Sequence, residues 1–432
     1  MTLLRKALAG TLAGCLSLVS ACGSGEPEQT DSGPLVVWFP GNSETEMKLL
    51  KETVIPAFKQ QTGTDVQVTF VDWAEISPKL NAAFAAGTAP DIIGHGVAAT
   101  ADLVHNDRIE DMTPYVEKLP AADREDLAAA LPGGQVKGKQ YNMPVIMTIR
   151  LIVYSGADFK AAGLNPDQPP QTWEAVKTTA EQLTKRDGGK ITHAGLAVPS
   201  NPIGAQQAFG TLLWSSGGEY INAEGTKATL NSPEAVKALQ FYTSLFQGPT
   251  AVDNTLGGTW SNSPPAQQPI VTGGASMQLS NSGDITKYQK AAPDRDLRVV
   301  MPPAFQGSKG RAFGGAANGL MINKDSKHKD RAWDFIKYMT TGETSVKYAE
   351  TVGSLPIRAS AAKSAYVTSN PELLKTVKAL AVTHANPNVP GWVQMRDAIG
   401  KQLEQALHGK ISAADALKQA ATEVDKIIAA NQ

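Results

Sequence analysis

The chain has 432 residues, 42% of them hydrophobic and 19% charged, and a net charge of −1 at pH 7. This is the composition of a globular chain that is long enough for two domains of ordinary size. Near-neutrality excludes the clustered Lys and Arg residues of a nucleic-acid-binding surface, so no nucleic-acid partner is expected.

The first residues predict export. Arg5 and Lys6 precede a mostly apolar stretch over residues 7–19, and the small residues Ser20 and Ala21 follow it. A basic start, an apolar stretch and small residues before a cleavage point are typical of a secretory signal. We therefore expect a signal peptide over residues 1–21. No later stretch reaches the 18 or more apolar residues of a membrane span.

Cys22 follows this signal and predicts a lipid anchor. The sequence VSAC at 19–22 resembles the bacterial lipobox, in which the Cys is lipidated and becomes the mature N-terminus. The polar residues after it predict a tether over 22–34, which would hold the protein on the outer face of the cytoplasmic membrane, at the cell surface or on the periplasmic side. LAGC, ending at Cys15, fits the same pattern after a shorter apolar run. Cleavage before Cys22 leaves no other cysteine, so we expect neither a disulfide nor thiol chemistry.

The next part of the chain alternates short apolar strands with amphipathic helices. This order predicts an α/β fold with a largely parallel sheet covered by helices on both faces. In such sheets ligands lie beyond the carboxyl ends of the strands, which points to the loops at 40–44 and 94–98. The expected elements are a strand at 35–39, a helix at 47–58 ending at Gly63, a strand at 65–71, a helix at 76–84 ending at Gly87, and a strand at 89–93.

Two extended segments and several helices are expected in the rest of the chain. Apolar runs predict the extended segments, and helical spacing with capping residues predicts the helices. They are an extended segment at 141–154, a helix after the cap Thr172, helices at 205–217 and 233–246, a strand at 314–323, a helix at 331–339, and a C-terminal helix with Leu417, Ala421, Val424 and Ile428 on one face.

Short motifs are spread over nearly the whole mature chain. They are LVVW at 35–38, GTAPDII at 87–93, YNMP at 141–144, LIVY at 151–154, QTWEA at 171–175, GGASM at 273–277, AWDFI at 332–336, GSLP at 353–356 and PNVP at 387–390. In this order and spacing the chain resembles the extracytoplasmic solute-binding proteins of ABC importers, in the sugar-binding branch that includes maltose-binding protein.

The resemblance implies a two-lobed periplasmic-binding-protein-like fold, in which each lobe is a mainly parallel sheet covered by helices. The ligand cleft lies between the lobes at a hinge, and hinge closure is the expected motion. The implied N-terminal lobe comprises 35–147 and 315–354, and the C-terminal lobe comprises 148–314 and 355–432. The chain would cross between them near 147–149, 313–315 and 355–358.

The function implied is capture of a mono- or oligosaccharide and its delivery to the transmembrane subunits of an ABC permease, which a cytoplasmic ATPase drives. We expect a monomer that is not an enzyme and uses no cofactor or metal. The sequence carries neither a Gly-x-Ser-x-Gly elbow nor a His-Glu-x-x-His motif. The same fold binding a polyamine, an anion or a metal complex stays open as an alternative, as does a sugar sensor without transport.

Sugar recognition needs aromatic side chains for the faces of the ring and fixed polar groups for its hydroxyls. Core positions are expected for Trp173, Trp333 and, less clearly, Trp214, because they lie in amphipathic or apolar helices. The candidate ligand-binding tryptophans are Trp38 at the end of the first strand, Trp73 and Trp260 in loops, and Trp392 after Pro390-Gly391.

The polar candidates come mainly from positions that match sugar-contacting loops of the family. Asn42, Ser43 and Glu44 have helix capping as an alternative role, and Arg358 has a salt bridge between the lobes. His95 and Thr148 stand where the family has an aromatic residue and a carboxylate, so maltose itself is not expected. Asp91 is assigned a structural role. Aromatic and amide candidates together favour a neutral polyhydroxyl solute, and the remaining polar candidates are Gln206, Asn281 and Asn318.

Overall fold

The computed structural model describes residues 33–41, 43–73 and 75–431. The signal peptide, Cys15, Cys22, most of the tether and Asn42 lie outside these residues. In the described part the strands are β1 (Leu35–Pro40), β2 (Val66–Val71), β3 (Ile92–Gly96), β4 (Gln135–Val136), β5 (Lys139–Gln140), β6 (Met143–Ser155), β7 (Lys185–Asp187), β8 (Lys190–Ala197), β9 (Ala275–Asn281), β10 (Leu297–Val300), β11 (Ala312–Ile322) and β12 (Thr383–His384).

Helices cover both faces of the sheet that these strands form. The α-helices are α1 (Glu44–Leu49), α2 (Ile55–Thr62), α3 (Ile76–Ala86), α4 (Thr100–His105), α5 (Thr113–Glu117), α6 (Ala121–Asp126), α7 (Gly156–Ala161), α8 (Trp173–Leu183), α9 (Pro202–Ser215), α10 (Pro233–Ser244), α11 (Pro269–Thr272), α12 (Ile285–Ala291), α13 (Lys329–Met339), α14 (Gly342–Val352), α15 (Ala365–Thr368), α16 (Pro371–Ala379), α17 (Trp392–Leu407) and α18 (Ala413–Ala430). None of the helices in the described ranges has the length and apolar character needed to span a membrane.

The start of the fold matches the sequence-based expectation closely. β1 lies between β2 and β3 and is parallel to both, with Val37 opposite Val68 on one side and Ile92 on the other. The predicted helix at 47–58 is α1 and α2 joined by a π-helical turn at Leu50–Val54. This turn lies just before Pro56, which has no N–H to donate to the regular helical ladder.

The sheet as a whole is mixed, so the expectation of a mainly parallel sheet was too simple. Its strand order is β2-β1-β3-β11-β6-β9-β8-β7. The pairs β1/β2, β1/β3 and β8/β9 are parallel, whereas the edge pair β7/β8 is antiparallel. At the centre, β11 is antiparallel to β3 and to β6, and β6 is antiparallel to β9.

Two large hydrophobic clusters make up most of the core. One includes Trp173, Trp214 and Trp392, together with the apolar face of α18, and all its buried members fall within 148–314 and 355–432. The other includes Trp333 and the residues of β1, and it continues along β6. The core positions expected for Trp173, Trp333 and Trp214 are confirmed, since all three are less than 10% exposed.

Asp91 has the structural role expected of it. Its carboxylate accepts a hydrogen bond from the backbone N of Val36 (2.9 Å) and another from Ser326 Oγ (2.6 Å). It thus joins the start of β3 to β1 and to the loop after β11.

Candidate functional site

Three chain segments run side by side at the centre of the molecule. In β11, Gly314 and Gly315 lie opposite Ile149 and Thr148 of β6. Met147 N donates to Leu355 O at 2.8 Å, which brings the third segment alongside. The approach is close, because a Cβ on Gly314 would lie 2.5 Å from Thr148 O. The three segments expected to cross between lobes therefore meet here.

Strand ends from both halves converge on this centre. β3 ends at Gly96, which lies opposite Asn318 of β11. β9 ends at Asn281, which lies opposite Arg150 of β6. Because carboxyl ends of strands are where open α/β sheets bind ligands, the centre of β6 and β11 is the position at which both halves can present side chains to one solute.

Thr148 and Asn281 are brought together, as the sequence suggested. Thr148 Oγ1 donates to Asn281 Oδ1 at 2.8 Å across β6 and β9. Asn281 Nδ2 lies 3.5 Å from Asp284 Oδ2. The two candidates thus form one polar group, with Asp284 as a third member that sequence reasoning had missed.

A cavity of about 260 Å³ opens beside this group. Its walls come from β6, β9, α12 and the loop that contains Trp260. Polar side chains dominate its lining, namely Arg150, Trp260, Ser261, Ser263, Gln268, Ser280, Asn281, Asp284, Lys287 and Tyr288. A small concave site with many convergent polar groups has the general form of a site for a small polar solute.

Trp260 is a member of this site, but its setting differs from the exposed loop position expected. Its ring is half-buried against a small apolar cluster of Ala194, Ala197 and Ala275. Gln268 holds the loop, because its Nε2 donates to Trp260 O at 2.8 Å. Among the described residues the indole Nε1 of Trp260 has no hydrogen-bond partner and no accessible surface, so Trp260 lines the cavity with other atoms of its side chain.

Arg150 is the main site residue that sequence reasoning missed. Its Nε donates to Gln207 Oε1 at 2.6 Å, and its NH2 bonds to the same oxygen. Burial lowers the pKa of Arg150 to about 10, which still leaves it charged at neutral pH. A signal was present in the sequence, since an arginine inside an apolar strand is costly unless something pairs with it.

Near the carboxyl ends of β2 and β3, Trp73 and His95 form an aromatic group. Trp73 is 45% exposed, and its ring centre lies 6.2 Å from that of His95 in an edge-on arrangement. His95 Nδ1 accepts from Gly96 N at 2.8 Å, so in the neutral ring Nε2 carries the proton and donates to Ser77 Oγ at 3.0 Å. Burial lowers the pKa of His95 to about 4, so it is neutral at pH 7. Trp38 is half-buried and packs in the same region.

Ser43 and Glu44 take the capping role that was the alternative reading. Ser43 is the N-cap of α1, and its Oγ accepts from Glu46 N at 3.5 Å. Glu44 is exposed in the first turn, where a carboxylate is favourable next to the helix dipole. Neither position excludes contact with a solute above the helix N-terminus.

Three sequence candidates are not placed where a ligand would meet them. Gln206 is fully buried, and its Nε2 donates to Tyr220 Oη and Asn386 Oδ1, both at 2.9 Å. Trp392 is 0% exposed within the larger cluster. Local sequence did not reveal this burial, because the turn before Trp392 resembles a surface loop.

Arg358 is the third, and it makes the salt bridge considered as its alternative. Its NH1 lies 2.6 Å from Asp123 Oδ1 and 3.1 Å from Asp126 Oδ2, while its Nε donates to Thr340 O at 2.6 Å. With its donors thus engaged and its side chain 9% exposed, Arg358 has little capacity for a solute.

The described residues contain no group of three or more His, Cys, Asp or Glu side chains placed to hold a metal ion. The site therefore offers hydrogen-bond donors, acceptors and aromatic faces. These groups are suited to holding a polar solute.

Comparison with known proteins decides the family. The family model for bacterial extracellular solute-binding proteins matches residues 41–344. The chain belongs to this family. Among its relatives, a putative binding protein of Brucella abortus (strain 2308) is 25% identical over 433 residues, covering 99% of each chain. A maltotriose-binding protein of Pyrococcus abyssi is 22% identical over 401 residues, covering 88% of this chain and 80% of the relative.

Solved structures confirm the two-lobed fold of this solute-binding protein. The sugar-binding protein MalE of Xanthomonas citri superposes with a TM-score of 0.79 at 20% identity, covering 92% of this chain and 98% of that one. An ABC transporter solute-binding protein of Thermotoga lettingae, solved with α-D-tagatose, gives 0.77 at 24% identity, covering 92% and 100%. The fold class expected from the sequence is therefore correct, with the mixed central sheet as its refinement.

Proposed function

We propose that this solute-binding protein captures a sugar, as a mono- or oligosaccharide, between its lobes and delivers it to an ABC permease for import. The observation that carries the proposal is the polar cavity that Trp260 lines together with Arg150 and Asn281, beside the three adjacent segments at the centre of the molecule. The maltotriose-binding relative, the structural neighbour solved with tagatose and the sugar-binding protein MalE support the same class of solute.

The lobe boundaries follow from the same reasoning. The N-terminal lobe comprises 35–147 and 315–354, and the C-terminal lobe 148–314 and 355–432. The first large cluster agrees with this division, because its buried members fall within the C-terminal segments, whereas the second contains residues of both lobes, such as Leu49 and Leu297. The adjacent crossings around Met147, Gly315 and Leu355 form the hinge. A solute favours closure only through contacts that it gains in the closed state.

In the closed state, each lobe supplies a different kind of contact. The C-terminal lobe offers the polar cavity, and the N-terminal lobe offers Trp73 and Trp38 as faces for a sugar ring. Asn318 and His95 lie at the edge between them. A flat aromatic side chain contributes large apolar contact at little cost in conformational entropy.

The protein acts as a monomeric binder that catalyses no reaction, anchored by a lipid on Cys22 to the outer face of the cytoplasmic membrane. An anchored binder stays close to the permease that it supplies. Membrane fractionation tests this part, because Cys22→Ala should release the protein while the matched Cys15→Ala leaves it bound. Continued anchoring of the Cys22 variant would contradict the assignment.

Sugar binding is tested by calorimetric titration of the full chain with a panel of mono- and oligosaccharides. At least one sugar should bind, and Trp73→Ala should weaken it about 2- to 12-fold, from the ~0.5–1.5 kcal/mol of an aromatic contact. Trp333→Phe, in the core away from the site, is the matched control and should bind normally. Absence of binding across the panel, with putrescine bound instead, would contradict the proposal.

A further inference from the structure

The cavity beside Trp260 contains three charged side chains, and only two of them neutralise each other. Lys287 Nζ lies 3.2 Å from Asp284 Oδ1 and donates to Val352 O at 2.7 Å. These two bonds fix the Lys287–Asp284 pair between α12 and the end of α14. The third charge belongs to Arg150.

Arg150 has a neutral partner instead of a counterion. Its guanidinium bonds to the amide oxygen of Gln207. Among the described residues no carboxylate lies within ion-pair distance of it, and the nearby Asp284 is already paired with Lys287. A cation held in a low-dielectric environment without a partner charge is costly, and a bound anion would offset that cost. The fork geometry of the guanidinium suits two-point binding of a carboxylate or a phosphate.

The acceptor of the neighbouring polar group is already engaged, because Asn281 Oδ1 accepts from Thr148. Arg150, Lys287 and Asp284 together leave one net positive charge along the empty volume. This charge favours an electron-rich group.

The volume limits what can enter. At about 260 Å³ the cavity lies just below the ~300–1,000 Å³ of ordinary small-molecule sites, which fits one small unit of the solute. We propose that the solute is an acidic sugar, in which a carboxylate or phosphate on the unit that enters this cavity binds Arg150. This inference rests on the proposed sugar function and replaces the neutral solute that the aromatic and amide candidates favoured.

The test compares matched sugars in calorimetric titrations of the full chain. The pairs are glucuronate with glucose, galacturonate with galactose, and glucose 6-phosphate with glucose, and inorganic phosphate is titrated alone. At least one acidic member should bind tenfold or more tightly than its neutral partner. Preference in the uronate pairs identifies a carboxylate, and preference in the sugar phosphate pair identifies a phosphate.

Variants separate charge from shape. Arg150→Gln should reduce the acidic-to-neutral affinity ratio to about one, whereas Arg150→Lys keeps the charge and should retain part of the preference. Trp260→Phe should weaken acidic and neutral members alike, because it removes part of the cavity wall without changing charge. Lys290→Gln is the control, since it removes one charge from an exposed position on the same helix as Lys287.

The outcomes distinguish this inference from the function on which it rests. Neutral sugars binding as tightly as acidic ones, or an unchanged ratio in both Arg150 variants, would overturn the acidic assignment and leave sugar binding intact. No binding by either class would overturn both. Inorganic phosphate binding as tightly as glucose 6-phosphate would support an anion site and contradict the sugar part.

Discussion

Arg358 provides a quantitative test, because the sequence and the structure assign it different roles. By motif position it is a ligand residue, whereas the structure surrounds it with Asp123, Asp126 and the carbonyl of Thr340. We therefore expect Arg358→Ala to destabilise the fold and to leave solute affinity unchanged.

The magnitude follows from the three contacts. The bond to Asp126, which is 18% exposed, is worth about 1.5–3 kcal/mol as a hydrogen bond to a charged group. Asp123 is 38% exposed and becomes hydrated, so it adds little. Losing the donor to Thr340 O adds about 1 kcal/mol. The sum is about 3 kcal/mol, which corresponds to a fall in Tm of about 3–4 °C for ~400 residues at ~2.1 cal/mol/K each.

The assay is thermal unfolding at pH 7 together with a titration of the solute. Lys363→Ala, which removes an exposed cation from the short helical turn after Arg358, is the control and should change stability by less than about 0.5 kcal/mol. Burial raises the pKa of Asp126, but hydrogen bonds from Ser360 and Arg358 outweigh that effect and hold the pKa below its usual value. This contribution is therefore present above the unfolded pKa of ~3.9 and is lost as the pH falls through the lower folded pKa.

The difference in stability between wild type and Arg358→Ala should accordingly shrink in strong acid. Unchanged stability combined with a tenfold or larger loss of affinity would refute this reasoning and return Arg358 to the site.

Three further predictions follow from burial and charge. Trp392→Ala should cost about 3–5 kcal/mol in chemical denaturation, because it empties a fully buried position, and a loss under 1 kcal/mol would contradict that placement. Trp73→Ala, by contrast, should leave the unfolding midpoint within about 0.5 kcal/mol of wild type, and a larger loss would show that this exposed ring is structural. Burial lowers the pKa of His384, but the bond to Glu219 outweighs that effect and raises it. The stabilisation from this pair is therefore complete below the unfolded pKa of ~6.5 and is lost as the pH rises through the folded pKa. His384→Gln should remove that pH dependence from unfolding curves, and its persistence would exclude the pair as the cause.

The sequence proposed candidate residues, and the structure shows how they are placed. Trp73 follows β2, His95 and Asn281 lie at the ends of β3 and β9, and Thr148 lies inside β6, where it contacts Asn281. The burial of Gln206 was missed because helical spacing does not reveal which residues of the mainly apolar helix α9 are buried.

The sequence by itself determined the strands and helices, their alternation, the buried tryptophans of amphipathic helices, and the family. These properties depend on periodicity and local chemistry, which neighbouring residues specify. Only the tertiary structure decided that β6 and β11 run antiparallel to their neighbours, that Arg358 bonds to Asp123 and Asp126, and that Arg150 faces a cavity with Trp260. Such pairings join residues more than a hundred positions apart, and they are set by packing across the whole fold, which no local pattern encodes.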